Sequence, residues 1–241
     1  MGLTISHDDG VATVRMTDAA TANALTHDIV EAITATFTEL GRDRRVHAIV
    51  FAGLPDVFSS GASRSVIEDL ASARRDSGEL VLPRAMLDCP VPCISAMAGY
   101  AIGGGFALGV AADIIVLGAE SRYSINFLDL GFTPGMGTTA LFEHVLSPAV
   151  AHELMFTCEA RRGRDLARTG FNHVLPRDEV DARAHDLAAR IADKPREAVI
   201  ALKRTLSIPR RQAFEAARTQ EALMHAAAFA HLANQTRKQE S

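Results

Sequence analysis

Residues 92–117, PCISAMAGYAIGGGFALGVAADIIVL, carry a strand, a glycine turn, a helix and a second strand in one stretch. PCISAM (92–97) is a short apolar run. Gly99 and the triplet Gly103-Gly104-Gly105 punctuate it. FALGVAA (106–112) is a helix of small residues, and Asp113 to Leu117 is the next strand. Strand, helix and strand in this order imply parallel pairing through a right-handed crossover. The stretch from Ala98 to Ala119 is apolar, but three adjacent glycines and Asp113 within it argue for a buried helix and strand rather than a membrane span.

The same grammar extends upstream. Residues 3–7 and 11–16 alternate as strands around an Asp9-Gly10 hairpin turn. Ile29, Ile33, Phe37 and Leu40 recur at helical spacing behind Thr26, an N-cap type. HAIVFA (47–52) is a buried strand ending at Gly53, and a polar loop leads on to Phe58-Ser59-Ser60-Gly61-Ala62-Ser63. Downstream of Gly137 helical patterns predominate, the last from Arg210 to about Asn234. No solenoid repeat is present. One α/β core with a C-terminal helical region is the expected organisation, divided at 1–190 and 191–241.

With 241 residues, 48% hydrophobic and 22% charged, the chain has the make-up of a globular enzyme. A net charge of −4 supplies no global attraction to nucleic acid or to a membrane. The clusters Arg161-Arg162-Gly163-Arg164 and Arg210-Arg211 read as solvated helix ends, or as docking points for an anionic cofactor or acidic carrier protein. Cys89, Cys93 and Cys158 stand at no metal-site spacing, so reduced thiols and no metal are expected. The first ten residues lack a basic region followed by an apolar run, which favours a cytoplasmic protein without a signal peptide.

Gly61-Ala62 and Gly103-Gly104-Gly105 each follow a strand, and these two turns carry the chemistry. Glycine allows close backbone approach, and Gly104 would open a helix whose unpaired N–H groups attract developing negative charge. If the Ala62 N–H points to the same spot, two donors converge on one oxygen. The triplet is neither a Walker loop nor a dinucleotide fingerprint.

Taken in order, the segments 58–63, 98–105, Ala112-Asp113 and GFTPGMG (131–137) resemble the crotonase (enoyl-CoA hydratase/isomerase) superfamily over about residues 3–207. The resemblance implies a spiral ββα core and trimers or hexamers. It also implies an oxyanion hole made by the Ala62 and Gly104 N–H groups. Hydratases of that superfamily place glutamates where this chain has Ala107 and Phe127. Alanine and phenylalanine cannot position water or move protons, so ordinary hydration is not expected. An apolar pocket instead disfavours a substrate carboxylate relative to carbon dioxide.

Asn126-Phe127 with 131–137, and Asp88-Cys89-Pro90 through Met97, resemble the ECH2-type decarboxylases of polyketide β-branching cassettes. That likeness implies decarboxylation of a glutaconyl-type thioester carried on acyl carrier protein, or on CoA, with no other cofactor. It assigns Arg64 to the substrate carboxylate and a C-terminal histidine to proton transfer. His225 and His231 are the candidates, because ungapped alignment puts Ala230 at the expected position. Tyr100 is expected beside the pocket. Two alternatives stand: a double-bond isomerase using Asp129 or a histidine, and a crotonase that keeps the fold only as a scaffold.

Overall fold

The computed structural model describes residues 2–72 and 81–239, with side chains except at residue 71 and beyond residue 228. Strands β1 (Leu3–Asp8) and β2 (Val11–Met16) form the antiparallel hairpin turned by Asp9-Gly10. Helix α1 (His27–Arg42) begins where Thr26 accepts the Ile29 N–H, the cap its hydroxyl is suited to. From there the chain repeats one motif. Strand β3 (Ala48–Ala52), strand β4 (Val57–Ser59) and helix α2 (Arg64–Ala71) form the first unit. A short helix α3 (Arg84–Leu87) precedes the second, which is β5 (Cys93–Met97), β6 (Tyr100–Ile102) and α4 (Gly104–Val110). The third is β7 (Ile114–Gly118), β8 (Arg122–Ser124) and, after a 3-10 turn at Leu128–Leu130, α5 (Thr138–Val145).

Each unit places its first strand in one sheet and its second strand in another. β3, β5 and β7 pair in parallel, and so do β4, β6 and β8. Helix α6 (Pro148–Thr157), β9 (Arg161–Arg162) and β10 (His173–Leu175) complete sheets ordered β1-β2-β3-β5-β7-β10 and β4-β6-β8-β9. This is the spiral ββα core. Because the units stack, equivalent turns lie one above another, which brings Gly61-Ala62 beside Gly103-Gly104.

Side chains on the first sheet alternate between two cores, as the two-residue period of a strand requires. Ala48, Val50, Ala52, Ile94, Ala96 and Val116 face Val180, Ala184 and Ala188 of α7 (Val180–Ala192). Ile49, Phe51, Cys93, Met97 and Leu117 face the main core. There Phe51 meets Phe37 and Phe58 edge-on at 5.5 and 5.4 Å, pairings worth about 0.5–1.5 kcal/mol each beyond their buried area.

The last helix, α8, runs unbroken from Arg196 to Gln239, earlier than the expected start at Arg210. Pro209 lies inside it. The carbonyl that its missing N–H leaves unbonded belongs to the exposed Thr205, where water can take the bond. Arg210 corrects the reading of a solvated cluster. It is buried and donates to the carbonyls of Val110, Ala111 and Ala112 at 3.3, 2.8 and 3.0 Å, capping the C-terminus of α4. Among the described residues, no helix is long and apolar enough to cross a membrane.

Candidate active site

Asn23 fixes the first turn. It is buried, and its amide donates to the Met16, Val57 and Phe58 carbonyls at 3.1–3.3 Å. The Leu25 N–H then bonds the Gly61 carbonyl at 2.8 Å, and the Ser63 N–H bonds the Leu25 carbonyl at 3.1 Å. That parallel bridge uses groups on either side of Ala62, so the Ala62 N–H points away from Leu25. Gly61 has φ +91° and packs so tightly that a Cβ there would stand 2.7 Å from the Ile102 carbonyl oxygen and 3.7 Å from the Gly104 nitrogen.

The three consecutive glycines serve three different needs. Gly103 holds φ +52°, which turns the chain out of β6 into α4. Gly105 lies against Ser59, where a Cβ would come within 2.6 Å of the serine side chain. Gly104, the first residue of α4, therefore presents an N–H that the helix cannot use internally.

Ala62 and Gly104 line one cavity of about 730 Å³. Val66 and Leu70 of α2 form one wall, and Phe127, Phe132 and Met136 form another. His225 of α8 closes the inner end, its Nε2–H donating to the Thr133 carbonyl at 2.7 Å and its ring edge-on to Phe132 at 5.9 Å. From this end the cavity runs outward along α1, past His27, Thr34 and Thr38 to Arg42. Among the described residues the carboxylates lining it, Glu31 and Glu39, lie on α1, and away from α1 the lining is apolar except for Ser60, Asn126 and His225.

Burial pushes the His225 imidazole below its ordinary value of 6.5. The unfolded chain then binds this proton better, so the histidine's contribution to stability is present above about pH 6.5 and lost as pH falls below it. His225→Gln is expected to make the melting temperature less sensitive to acid between pH 7.5 and 5. An unaltered dependence would show that the ring is not buried as described.

Four expected pocket residues lie elsewhere. Arg64 faces solvent, with a side chain 92% exposed and paired to Glu68 one turn along at 2.8 Å. The face of α2 toward the cavity belongs to Val66, Ile67 and Leu70. Asp129 is exposed on the 3-10 turn and does not line the cavity, whereas buried Phe127 and half-exposed Leu130 do. Tyr100 pairs with Val57 at the start of β6, roughly 6–7 Å of strand before Ile102, which does reach the cavity. Ala107 is wholly enclosed in the core one turn beyond Gly104. Phe127 does line the cavity. His231 is on α8, but its side chain lies outside the described residues. His27, which no motif marks, and Asn126 and Met136, which fall within the family-like segments but were given no role there, also line the cavity, because their place depends on how α1 and the 126–137 segment pack.

Stacked ββα units with two glycine turns opening on one cavity define the crotonase class. The family model for enoyl-CoA hydratase/isomerase matches residues 6–240, and the chain belongs to that family of enzymes. Within it, the chain is 33% identical to the bacillaene synthase decarboxylase PksI of Bacillus subtilis (strain 168), over 94% of this chain and 92% of that protein. The ECH2 decarboxylase domain of CurF from Lyngbya majuscula superposes with a TM-score of 0.88 at 32% identity, covering 95% of this chain and 94% of that one. A structure described for a dehydratase/decarboxylase couple of polyketide β-branching superposes at 0.91, also with 32% identity and the same coverage.

Proposed function

We propose that the chain decarboxylates a glutaconyl-type acyl thioester delivered on the phosphopantetheine arm of an acyl carrier protein. The observation that carries this reading is the meeting of the Ala62 and Gly104 turns over a cavity whose inner walls are apolar. The thioester oxygen would accept both N–H groups. The bond to the departing carboxylate breaks, its electron pair passes through the double bond into the thioester, and carbon dioxide leaves. The resulting dienolate is the species an oxyanion hole stabilises. An inner wall of Val66, Leu70, Phe127 and Phe132 solvates a carboxylate poorly, which favours its conversion to neutral carbon dioxide.

His225 returns the proton to carbon. Its Nε2–H is held by Thr133, so a proton delivered from this ring requires the doubly protonated form. Burial disfavours that form and makes it the stronger acid. Isomerisation through Asp129 has no support, since that carboxylate is exposed outside the cavity. A homotrimer or hexamer in the cytoplasm completes the proposal. Exposed Phe156, Leu202, Leu206 and Leu223 offer apolar surface for association, to be measured by light scattering.

The test is mass spectrometry of a carrier protein loaded with 3-methylglutaconyl and incubated with the enzyme. Loss of carbon dioxide is expected, and an unchanged mass would exclude this acyl group. In His225→Gln, turnover is expected to fall by about 10²–10⁴-fold, the usual worth of a general acid. Turnover within a factor of about two of the parent would remove His225 from the chemistry.

A further inference from the structure

Glu221 is a buried carboxylate on α8, 2% exposed, and among the described residues no ion pair reaches it. Burial without a cation pushes its pKa up. Three donors hold it in place nonetheless. Oε2 accepts the Gly137 N–H at 2.6 Å, while Oε1 accepts the Thr139 N–H at 2.9 Å and the Thr139 hydroxyl at 2.8 Å. These groups open α5, where Gly137 has no side chain with which to cap the helix. Glu221 is therefore the cap of α5, supplied from 82–84 residues away in sequence.

What it caps is the turn that builds the site. Phe132, Gly135 and Met136 of this turn line the cavity, and the Met136 sulfur lies 3.0 Å from where a Cβ on Gly104 would stand. The Thr133 carbonyl holds His225 Nε2, and the Thr138 hydroxyl closes the turn on the Gly135 carbonyl. On α8, Phe214, Glu221 and His225 are spaced by seven and four residues, one stripe of the helix. The Phe214 ring occupies the space that a side chain on Gly137 would need.

We propose that Glu221 is a positioning residue. By holding the amides of Gly137 and Thr139 it fixes the 131–137 turn, and through that turn it sets the tautomer and orientation of His225 and the place of Met136 over Gly104. The consequence for turnover rests on the decarboxylase reading; the effect on the His225 ring does not.

The experiment compares wild type with Glu221→Gln, which keeps the shape but turns an amide donor toward one of the N–H groups it must accept. Imidazole nitrogen NMR, with the His225 signals assigned through His225→Gln, reads the ring directly. The wild type is expected to show His225 as the Nε2–H tautomer and Glu221→Gln a mixture. On the loaded carrier protein, kcat is expected to fall by roughly 10- to 100-fold with KM little changed, as for a displaced catalytic group. Unchanged His225 signals in a folded Glu221→Gln variant would overturn the proposal, whatever its melting temperature. If that variant does not fold, Thr139→Val, which removes one of the three donors, is expected to shift the tautomer in the same direction by less. No shift there would overturn the proposal too. Should wild type fail to release carbon dioxide, the decarboxylase reading falls and the NMR comparison still decides the role of Glu221.

Discussion

Gly104→Pro is expected to lower decarboxylation by about 10²–10³-fold while the protein stays folded, which corresponds to about 3–4 kcal/mol of transition-state stabilisation. Proline removes the one N–H that α4 contributes to the cavity at this position. Gly104 is the first residue of the helix, where a missing N–H breaks no internal bond and the fixed φ of proline suits the helix. The added carbon meets the flexible Met136 thioether at 3.0 Å rather than backbone, so the side chain can give way. The comparison variant is Gly105→Ala. Its Cβ would press on Ser59, including the backbone oxygen at 2.8 Å, and should cost stability as well as rate. Carbon dioxide release and melting temperature measured together separate the two effects. If folded Gly104→Pro turned over at the parent rate, the backbone donor would have no part in the reaction.

The largest loss of stability is expected from Lys203→Met. The Lys203 ammonium is almost fully buried on α8 and pairs with Asp113 at 2.7 Å. It also donates to the carbonyls of Met86 and Val91 at 3.0 and 2.9 Å. Asp113 in turn accepts the Cys93 N–H at 2.8 Å, at the start of β5. One cation thus ties α8 to α3, β5 and the strand that follows α4. Methionine fills a similar volume but leaves two carbonyls and a carboxylate short of a donor. Breaking such a pair from one side costs about 3–5 kcal/mol. At roughly 2–4 °C per kcal/mol for a chain of this size, the melting temperature should fall by about 6–20 °C. Adding Asp113→Asn to Lys203→Met should restore part of the loss, since among the described residues Arg210 at 3.5 Å is then all that offsets the Asp113 charge, and asparagine removes that charge. A melting temperature within about 2 °C of wild type in the single variant would mean that the buried pair contributes nothing net.

Both variants probe features that local sequence announces unequally. Gly104 stands in a triplet between a strand and a helix, and the turn is legible there because chain direction, helix start and backbone freedom depend on neighbouring residues. The same holds for the two-residue alternation that sorts β3 and β5 between their two cores, and for the apolar residues standing where hydratases of this family carry glutamates. Lys203 gives no such sign. It sits between helical neighbours like any surface lysine, and Arg210 in Arg210-Arg211 reads as solvated until α8 is seen lying across the end of α4.

Side-chain direction separates the residues that reached the cavity from those that did not. Arg64 and Val66 share α2, but only Val66 faces the cavity; Asp129 and Phe127 are two residues apart and point in opposite senses. Glu221 and His225 act on a turn some ninety residues earlier in the chain. Local pattern established the strand–helix–strand alternation and the two glycine turns, because these are properties of adjacent residues, while the short second strands such as β6 and β8 became visible only in the structure. Which face of each helix closes the cavity, and which charges are buried, came from packing between segments far apart in sequence, where desolvation and hydrogen-bond geometry are settled only once the segments meet.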